Sequence, residues 1–157
     1  MEIEYTEFVD NEQVLDWVGP LWEKLNEYTI THSQYFPEYY SLGRSFDLRK
    51  KSIIEASQSG ALYISFAKEL MYRELVGYCV SVVSEDKQGT VESIYVESNY
   101  RQNGIGSNLM KRALSWMDNL SVKSKMLTVV VGNEEVHRFY NRYNFYPKST
   151  KFEQVKP

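Results

Sequence analysis

The chain has 157 residues, of which 43% are apolar and 25% are charged, and its formal net charge is −3. This length and composition suit one domain with its own core, so a single domain over residues 1–157 is predicted. Without clustered Lys and Arg, neither a nucleic-acid nor a membrane partner is expected. The acidic start lacks the features of a secretory signal, and no apolar run reaches the roughly 20 residues of a membrane helix, so the expected location is cytoplasmic.

The first part of the chain predicts one strand followed by two helices. Residues 3–8 are typical of a short strand. The Asp-Asn pair at residues 10–11 can cap a helix, which the Gly-Pro pair at residues 19–20 kinks or divides in two. Asp47 is placed to cap a second helix that extends to about residue 58.

From residue 61 the pattern is dominated by strands. The predicted strands lie at residues 61–68, 75–83, 90–96, 126–131 and 152–155. A helix over residues 104–120 carries its apolar residues on one face, and Asn133 opens another as its cap. The resulting order, β-α-α-β-β-β-α-β-α-β, predicts an α/β fold: a mixed sheet with helices on its faces.

A glycine-rich turn, Arg101-Gln102-Asn103-Gly104-Ile105-Gly106, joins a predicted strand to a predicted helix. Gly104 and Gly106 let the backbone approach an anion closely, free amides at the helix start can bind phosphate, and Arg101 adds positive charge. A dinucleotide fingerprint is excluded because Leu109 occupies the position of its third glycine, and the Gly-Lys-Ser/Thr of a P-loop is absent. The alternative is a plain turn without a ligand.

Two stretches of the second half carry recognisable motifs. Residues 91–106 read VESIYVESNYRQNGIG, and residues 129–133 (VVVGN) are followed by residues 139–145 (FYNRYNF). Together they resemble the GNAT superfamily of CoA-dependent N-acetyltransferases. Asn144 stands where that family usually has Gly, and Asn tolerates the left-handed conformation that such a helix end requires.

The resemblance implies a GNAT-like fold with a splayed central strand pair, and an enzyme that moves the acetyl group of acetyl-CoA to a primary amine by direct attack in a ternary complex. The strand that ends at residues 94–96 should bulge and part from the 126–131 strand. The pantetheine arm would fill the gap, and one amide would stabilise the oxyanion. The implied cofactor-binding residues are Ile94, Tyr95, Val96, Arg101, Gln102, Asn103, Gly104, Ile105, Gly106, Ser107, Asn133 and Tyr140.

Two catalytic residues are expected within these motifs. Tyr140, whose ordinary pKa of about 10 keeps it protonated at pH 7, would protonate the departing CoA thiolate. It lies two helical turns after Asn133, which places both on one helix face. Glu92 is the candidate base, directly or through water, on the strand face of Ile94. The alternatives are a buried aromatic for Tyr140 and a surface or substrate-binding carboxylate for Glu92.

The residues expected to bind the acceptor follow from the family resemblance. In family members the connection between the first two helices often lines the acceptor pocket, which implies substrate contacts from His32, Phe36, Tyr39 and Tyr40. The acceptor amine stays open between a small molecule and a peptide or protein, as does the use of longer acyl groups. A homodimer is a further expectation from the family.

Two other features bear on function. The single cysteine, Cys79, cannot form an internal disulfide and is more typical of a small buried strand residue than of a nucleophile. No Cys/His cluster has zinc spacing, so no metal is expected. The alternative to an enzyme is a non-catalytic acyl-CoA-binding or sensing module of the same fold.

Overall fold

Within residues 1–156, which the computed structural model describes, five strands lie side by side in chain order. They are β1 (Ile3–Val9), β2 (Ala61–Glu69), β3 (Glu74–Val83), β4 (Gln88–Val96) and β5 (Ser124–Leu127). Neighbours from β1 to β4 are antiparallel, whereas β4 and β5 are parallel. The predicted α/β fold with a mixed sheet is therefore confirmed.

The α-helices of these residues are α1 (Gly19–His32), α2 (Pro37–Leu42), α3 (Phe46–Ser57), α4 (Ile105–Asn119) and α5 (His137–Asn141). Short 3-10 helices lie at Glu12–Trp17, Ser98–Tyr100 and Glu134–Val136. The Gly-Pro pair at residues 19–20 begins α1, because Pro suits the first turn of a helix, so the predicted first helix is divided in two. No helix within residues 1–156 has the length and apolar character needed to cross a bilayer.

The chain divides into two compact units. The first unit comprises Met1–Leu25 and Ser45–Leu127, and it contains the whole sheet together with α3 and α4. The second unit comprises Asn26–Arg44 and the described residues from Thr128 onward, including α2 and α5. The glycine-rich turn therefore belongs to the first unit, and both Asn133 and Tyr140 belong to the second.

The core of the first unit lies on one face of β2 and β3. Alternate residues of a strand point to opposite faces, and those on this face pack with side chains from Glu12–Trp17, α1 and α3. The cluster includes Leu15, Trp22, Ile53, Leu62, Ile64, Phe66, Tyr78, Val80 and Val82. Burial of these side chains holds α3 against this face of the sheet.

α4 packs against β2, β3 and β4. Its buried residues recur at helical spacing and form one apolar face: Ile105, Leu109, Met110, Ala113 and Met117. Trp116 stacks on Tyr63 of β2 with ring centroids 5.1 Å apart. A Cβ built on Gly77 would lie 3.3 Å from Leu109 and 3.4 Å from Val96, so this glycine permits α4 to approach the end of β4 closely.

β4 contains a β-bulge. Val80 of β3 pairs with Ser93, but the next residue, Ser81, pairs with Val91, so Glu92 is an extra residue in β4. The parallel pairing with β5 reaches Val91 and stops there. The two strands therefore part at the bulge, which confirms the expected splay of the central strand pair.

The strand predicted at residues 152–155 is wrong. These residues form no strand, and Phe152 and Val155 are 91% and 54% exposed. An isolated four-residue segment that buries neither apolar side chain gains too little to offset the cost of ordering it. β5 is also shorter than the predicted 126–131, because its partner strand bulges after Val91 and the parallel ladder ends.

The predicted helix caps also need correction. Asp10 does not cap the first helix, because its carboxylate accepts a hydrogen bond from the amide of Leu62 at 2.9 Å. At α3 the cap is Ser45, whose hydroxyl accepts from the amide of Leu48 at 3.2 Å. Asp47 lies within the first turn instead, where its negative charge interacts favourably with the helix dipole.

Candidate functional site

The glycine-rich turn connects β4 to α4 through the 3-10 helix Ser98–Tyr100. Gln102 and Gly104 both have a left-handed backbone, with φ of 64° and 77°. Glycine takes this conformation without strain, and a Cβ built on Gly104 would meet nothing within 4 Å. The backbone is therefore open in front of the first turn of α4.

The first turn of α4 presents backbone amides. The amide of Asn108 donates to the carbonyl of Gly104 at 3.0 Å, which is the first hydrogen bond of the helix. The amides of Ile105, Gly106 and Ser107 precede it and have no carbonyl within the helix to bind. Their dipoles, together with that of the helix, make this turn suitable for an anion.

Arg101 and Asn103 tie the turn to neighbouring backbone. Arg101 donates through Nε to the carbonyl of Val96 at 2.9 Å, and its guanidinium lies 5.4 Å from the ring centroid of Tyr95. The Nδ2 of Asn103 donates to the carbonyls of Tyr100 and Arg101 at 3.2 and 3.1 Å. A positive charge is thus held at the junction of β4 and the turn.

The amides of Ile94 and Val96 point away from β3. In an antiparallel ladder, residues alternately bond to the neighbouring strand and point to the other side. The amide of Glu97 donates to the carbonyl of Val76 at 2.8 Å, which sets this alternation so that Tyr95 faces β3. Ile94 and Val96 therefore line the edge of β4 from which β5 has parted.

Glu92 lies at the bulge, where it pairs with Arg49 of α3. The Nη2 of Arg49 donates to the Glu92 carboxylate at 2.9 Å and to the Glu92 backbone carbonyl at 2.6 Å. The prediction that Glu92 shares the face of Ile94 is wrong, because the extra residue breaks the strand alternation. Ile94 pairs with Cys79 and points to the α4 side, whereas the Glu92 side chain reaches α3.

In the second unit, the residues before Asn133 pack tightly against the last turn of α1. Gly132 has φ of 107°, and a Cβ there would lie 1.8 Å from the carbonyl oxygen of His32, so only glycine fits. Asn133 precedes Glu134–Val136 but its side chain makes no capping bond, which corrects the predicted cap. Its Oδ1 is buried and accepts no hydrogen bond from residues 1–156, an arrangement that suits an N–H group of a ligand.

Tyr140 lies in α5, which follows a separate 3-10 helix, so Asn133 and Tyr140 are not on one continuous α-helix as predicted. The end of α5 is closed by two hydrogen bonds, from the Asn144 amide to the Asn141 carbonyl at 3.0 Å and from the Phe145 amide to the Tyr140 carbonyl at 3.2 Å. Asn144 has φ of 62°, which confirms the expected left-handed residue at this helix end.

The four predicted acceptor contacts all lie in the second unit: His32, Phe36, Tyr39 and Tyr40. The ring of His32 stacks on Tyr28 with centroids 3.8 Å apart. Tyr39 is 59% exposed, while the Tyr40 carbonyl accepts from Asn26 at 3.2 Å. Burial raises the pKa of the Tyr40 hydroxyl. This segment thus offers exposed and half-buried aromatic side chains.

The predicted cofactor-binding residues are distributed over both units, with residues 94–107 in the first and both Asn133 and Tyr140 in the second. Arg49 was not predicted as part of the site. It is 43 positions from Glu92 in the chain, and no spacing rule connects a helix residue to the bulge, whose exact position the sequence does not specify.

Cys79 is fully buried in β3, as expected of a small strand residue. Burial raises the pKa of its thiol to about 12, because the thiolate would lose its hydration in the core. The thiol is therefore protonated at neutral pH.

No group of three or more His, Cys, Asp or Glu side chains among residues 1–156 is arranged to hold a metal ion.

The sequence matches the model of the family described as "Acetyltransferase (GNAT) family" over residues 21–145. None of the curated proteins matches the chain in sequence.

Several solved structures share the fold. A GCN5-related N-acetyltransferase from Ralstonia eutropha JMP134 has a TM-score of 0.72 at 16% identity, covering 98% of this chain and 99% of its own. AAC(6')-Iy, in complex with the bisubstrate analog CoA-S-monomethyl-acetylneamine, has a TM-score of 0.66 at 14% identity, covering 100% and 99%. The ribosomal-protein-alanine N-acetyltransferase from Brucella melitensis biovar Abortus 2308 has a TM-score of 0.63 at 14% identity, covering 99% and 100%.

Cys79 gives a prediction about thiol reactivity. Because its thiol is buried and protonated, we expect iodoacetamide to leave the native protein unmodified at pH 7.5 and to modify one cysteine after denaturation in guanidinium. Intact mass spectrometry measures both states. Rapid alkylation of the native protein would contradict the burial of Cys79 in β3.

Proposed function

Because the chain belongs to the acetyltransferase (GNAT) family, we propose that it is an acetyl-CoA-dependent N-acetyltransferase that acts on a primary amine. The observation that carries the proposal is that the first unit presents two sets of backbone amides outside its own ladder and helix bonds, one along the edge of β4 and one at the start of α4. The proposed domain comprises the whole chain, and the proposed location is cytoplasmic. Acetyl-CoA is a substrate of this reaction, and no step of it requires a metal ion.

The turn over residues 101–107 would hold the diphosphate of CoA. The amides of Ile105, Gly106 and Ser107 can donate to phosphate oxygens, and the open space in front of Gly104 admits them. Arg101 adds a positive charge beside the turn. Asn103 supports the turn through the hydrogen bonds that its side-chain Nδ2 donates to the carbonyls of Tyr100 and Arg101.

The pantetheine arm and thioester would lie along β4. Amides that point away from β3, those of Ile94 and Val96, can donate to carbonyl groups of the arm as a neighbouring strand would. One of the two would face the thioester oxygen and stabilise the negative charge that develops there as the amine attacks. In the second unit, the buried Oδ1 of Asn133 is an acceptor suited to an amide N–H of pantetheine.

The transfer itself is a direct displacement. The amine nitrogen bonds to the thioester carbon as the carbonyl electron pair moves onto oxygen; that pair then re-forms the carbonyl while the carbon–sulfur bond breaks and its electrons leave with sulfur. Tyr140 would donate its hydroxyl proton to that sulfur, which releases CoA as the thiol. The proton that the amine loses would pass to Glu92. A water-relayed route is favoured, because Arg49 holds the Glu92 carboxylate on the α3 side of the strand.

The acceptor is proposed by class only. Of two structures with the same fold, one holds a bisubstrate analog that joins CoA to an acetylneamine group, and the other is a ribosomal-protein-alanine N-acetyltransferase. At 14% identity these likenesses concern the fold, so both a small-molecule amine and a peptide N-terminus belong in the test. The residues His32, Phe36, Tyr39 and Tyr40 would line the acceptor side, and a homodimer is a further proposal from the family.

Release of CoA thiol from acetyl-CoA tests the function directly. The panel should contain spermidine, an aminoglycoside, free amino acids and a peptide with a free N-terminus and a lysine. We expect thiol release that depends on one acceptor class and yields the N-acetylated product by mass spectrometry. CoA binding without turnover on any amine would instead support the non-catalytic binding module.

Replacement of Gly104 tests the diphosphate site. Gly104→Ala places a methyl group in the open space in front of α4, so we expect CoA affinity to fall about tenfold or more, measured by titration calorimetry. The left-handed φ of 77° adds strain of about 1 kcal/mol, which lowers the melting temperature only modestly. The control is Ser121→Ala at the other end of α4, where φ is 54°, and it should bind CoA as the wild type does. Unchanged affinity in Gly104→Ala would argue against this site.

Replacement of Tyr140 tests the proposed acid. Tyr140→Phe removes the proton donor and keeps the ring, so we expect kcat to fall about 100-fold while CoA affinity stays within about threefold. Tyr143→Phe, a tyrosine of the same helix end, is the matched control. Full activity of Tyr140→Phe would show that another group protonates the thiolate.

A further inference from the structure

The bulge in β4 is held from α3 by Arg49. One nitrogen of its guanidinium donates to both the backbone carbonyl and the carboxylate of Glu92, at 2.6 and 2.9 Å. The side chains of Arg49 and Glu92 are only 16% and 17% exposed. These bonds are charge-assisted and largely shielded from water, so they restrain the backbone more strongly than an exposed ion pair would.

The residue that follows the bulge is also held. The Ser93 hydroxyl shares a buried hydrogen bond of 2.7 Å with the hydroxyl of Tyr78 in β3. α3 therefore fixes Glu92 and β3 fixes Ser93. The backbone direction at Ile94, the next residue, follows from these two attachments.

The position of the bulge decides which amides face outward. A one-residue shift in strand register exchanges the residues that bond to the neighbouring strand with those that point away from it. If the extra residue moved from position 92 into the stretch 94–96, the outward-facing amides would change within that stretch. The attachment of the Glu92 carbonyl to Arg49 opposes such a shift.

We infer that Arg49 is a positioning residue for acetyl transfer. It acts through Glu92, by fixing the bulge so that the amides of Ile94 and Val96 point to the edge where the thioester would lie. The inference rests on the proposed function, and it goes beyond it by giving a role to a side chain on α3. Small displacements of the groups that align a reacting centre lower the reaction rate far more than they lower the binding affinity.

The test compares Arg49→Met and Arg49→Lys with the wild type, using acetyl-CoA and the amine with the highest turnover in the thiol-release panel. For Arg49→Met we expect kcat to fall about tenfold to 100-fold while the KM for acetyl-CoA stays within about threefold. Arg49→Lys keeps the charge but not the geometry of the guanidinium, so we expect its kcat to lie between that of Arg49→Met and that of the wild type. Melting temperatures are measured alongside.

The matched control is Lys50→Met. Lys50 is the next residue of α3 and pairs with Asp16 at 2.6 Å, so this variant also removes a cation and an ion pair from the same helix. It should keep wild-type kcat. If Arg49→Met does not fold, Arg49→Lys carries the test, because it retains the charge at α3.

The outcomes separate the inference from the function. Wild-type kcat in a folded Arg49→Met or Arg49→Lys variant would overturn the inference and leave the proposed function intact. A kcat loss accompanied by an equal loss in Lys50→Met would overturn it as well, since helix stability would then be the cause. If the wild type itself transfers no acetyl group, the proposed function fails and the inference fails with it.

Discussion

Every backbone amide needs a hydrogen-bond acceptor. At two places along one stretch of the first unit, the regular bonds of the sheet and of the helix do not supply one. At the bulge, β5 stops pairing with β4, and the amides of Ile94 and Val96 face its open edge. Further along the same stretch, the first turn of α4 presents amides that no carbonyl of the helix can reach. A long ligand with carbonyl groups at one end and phosphate oxygens at the other suits both sets.

The sheet and α4 are packed so that these donors stay in place. Gly77 lets Leu109 of α4 come close to Val96 at the end of β4, and Arg101 bonds to the carbonyl of Val96 from the turn itself. The strand edge and the helix start are thus connected by contacts that do not involve a ligand. Such preorganisation reduces the ordering that binding would otherwise require.

The parts of the site that follow local rules could be predicted from the sequence. Gly104 and Asn144 were identifiable because a left-handed residue at a helix boundary favours Gly or Asn. The side of the strand on which Glu92 lies was not predictable, because it depends on the exact position of the bulge, which is set by pairing with β3. The role of Arg49 was missed because its ion pair spans 43 positions of the chain, which is a non-local contact. The strand at residues 152–155 was wrongly predicted for the same reason, because the presence of a partner strand is also non-local.

The most direct test of the account is a titration calorimetry comparison of CoA with pantetheine, which lacks the diphosphate. If the amides of residues 105–107 bind that group, CoA should bind about 100-fold more tightly, equivalent to about 2.7 kcal/mol. The difference should shrink at high salt, because part of it is electrostatic. Equal affinity for the two compounds, or no binding of CoA, would contradict the account.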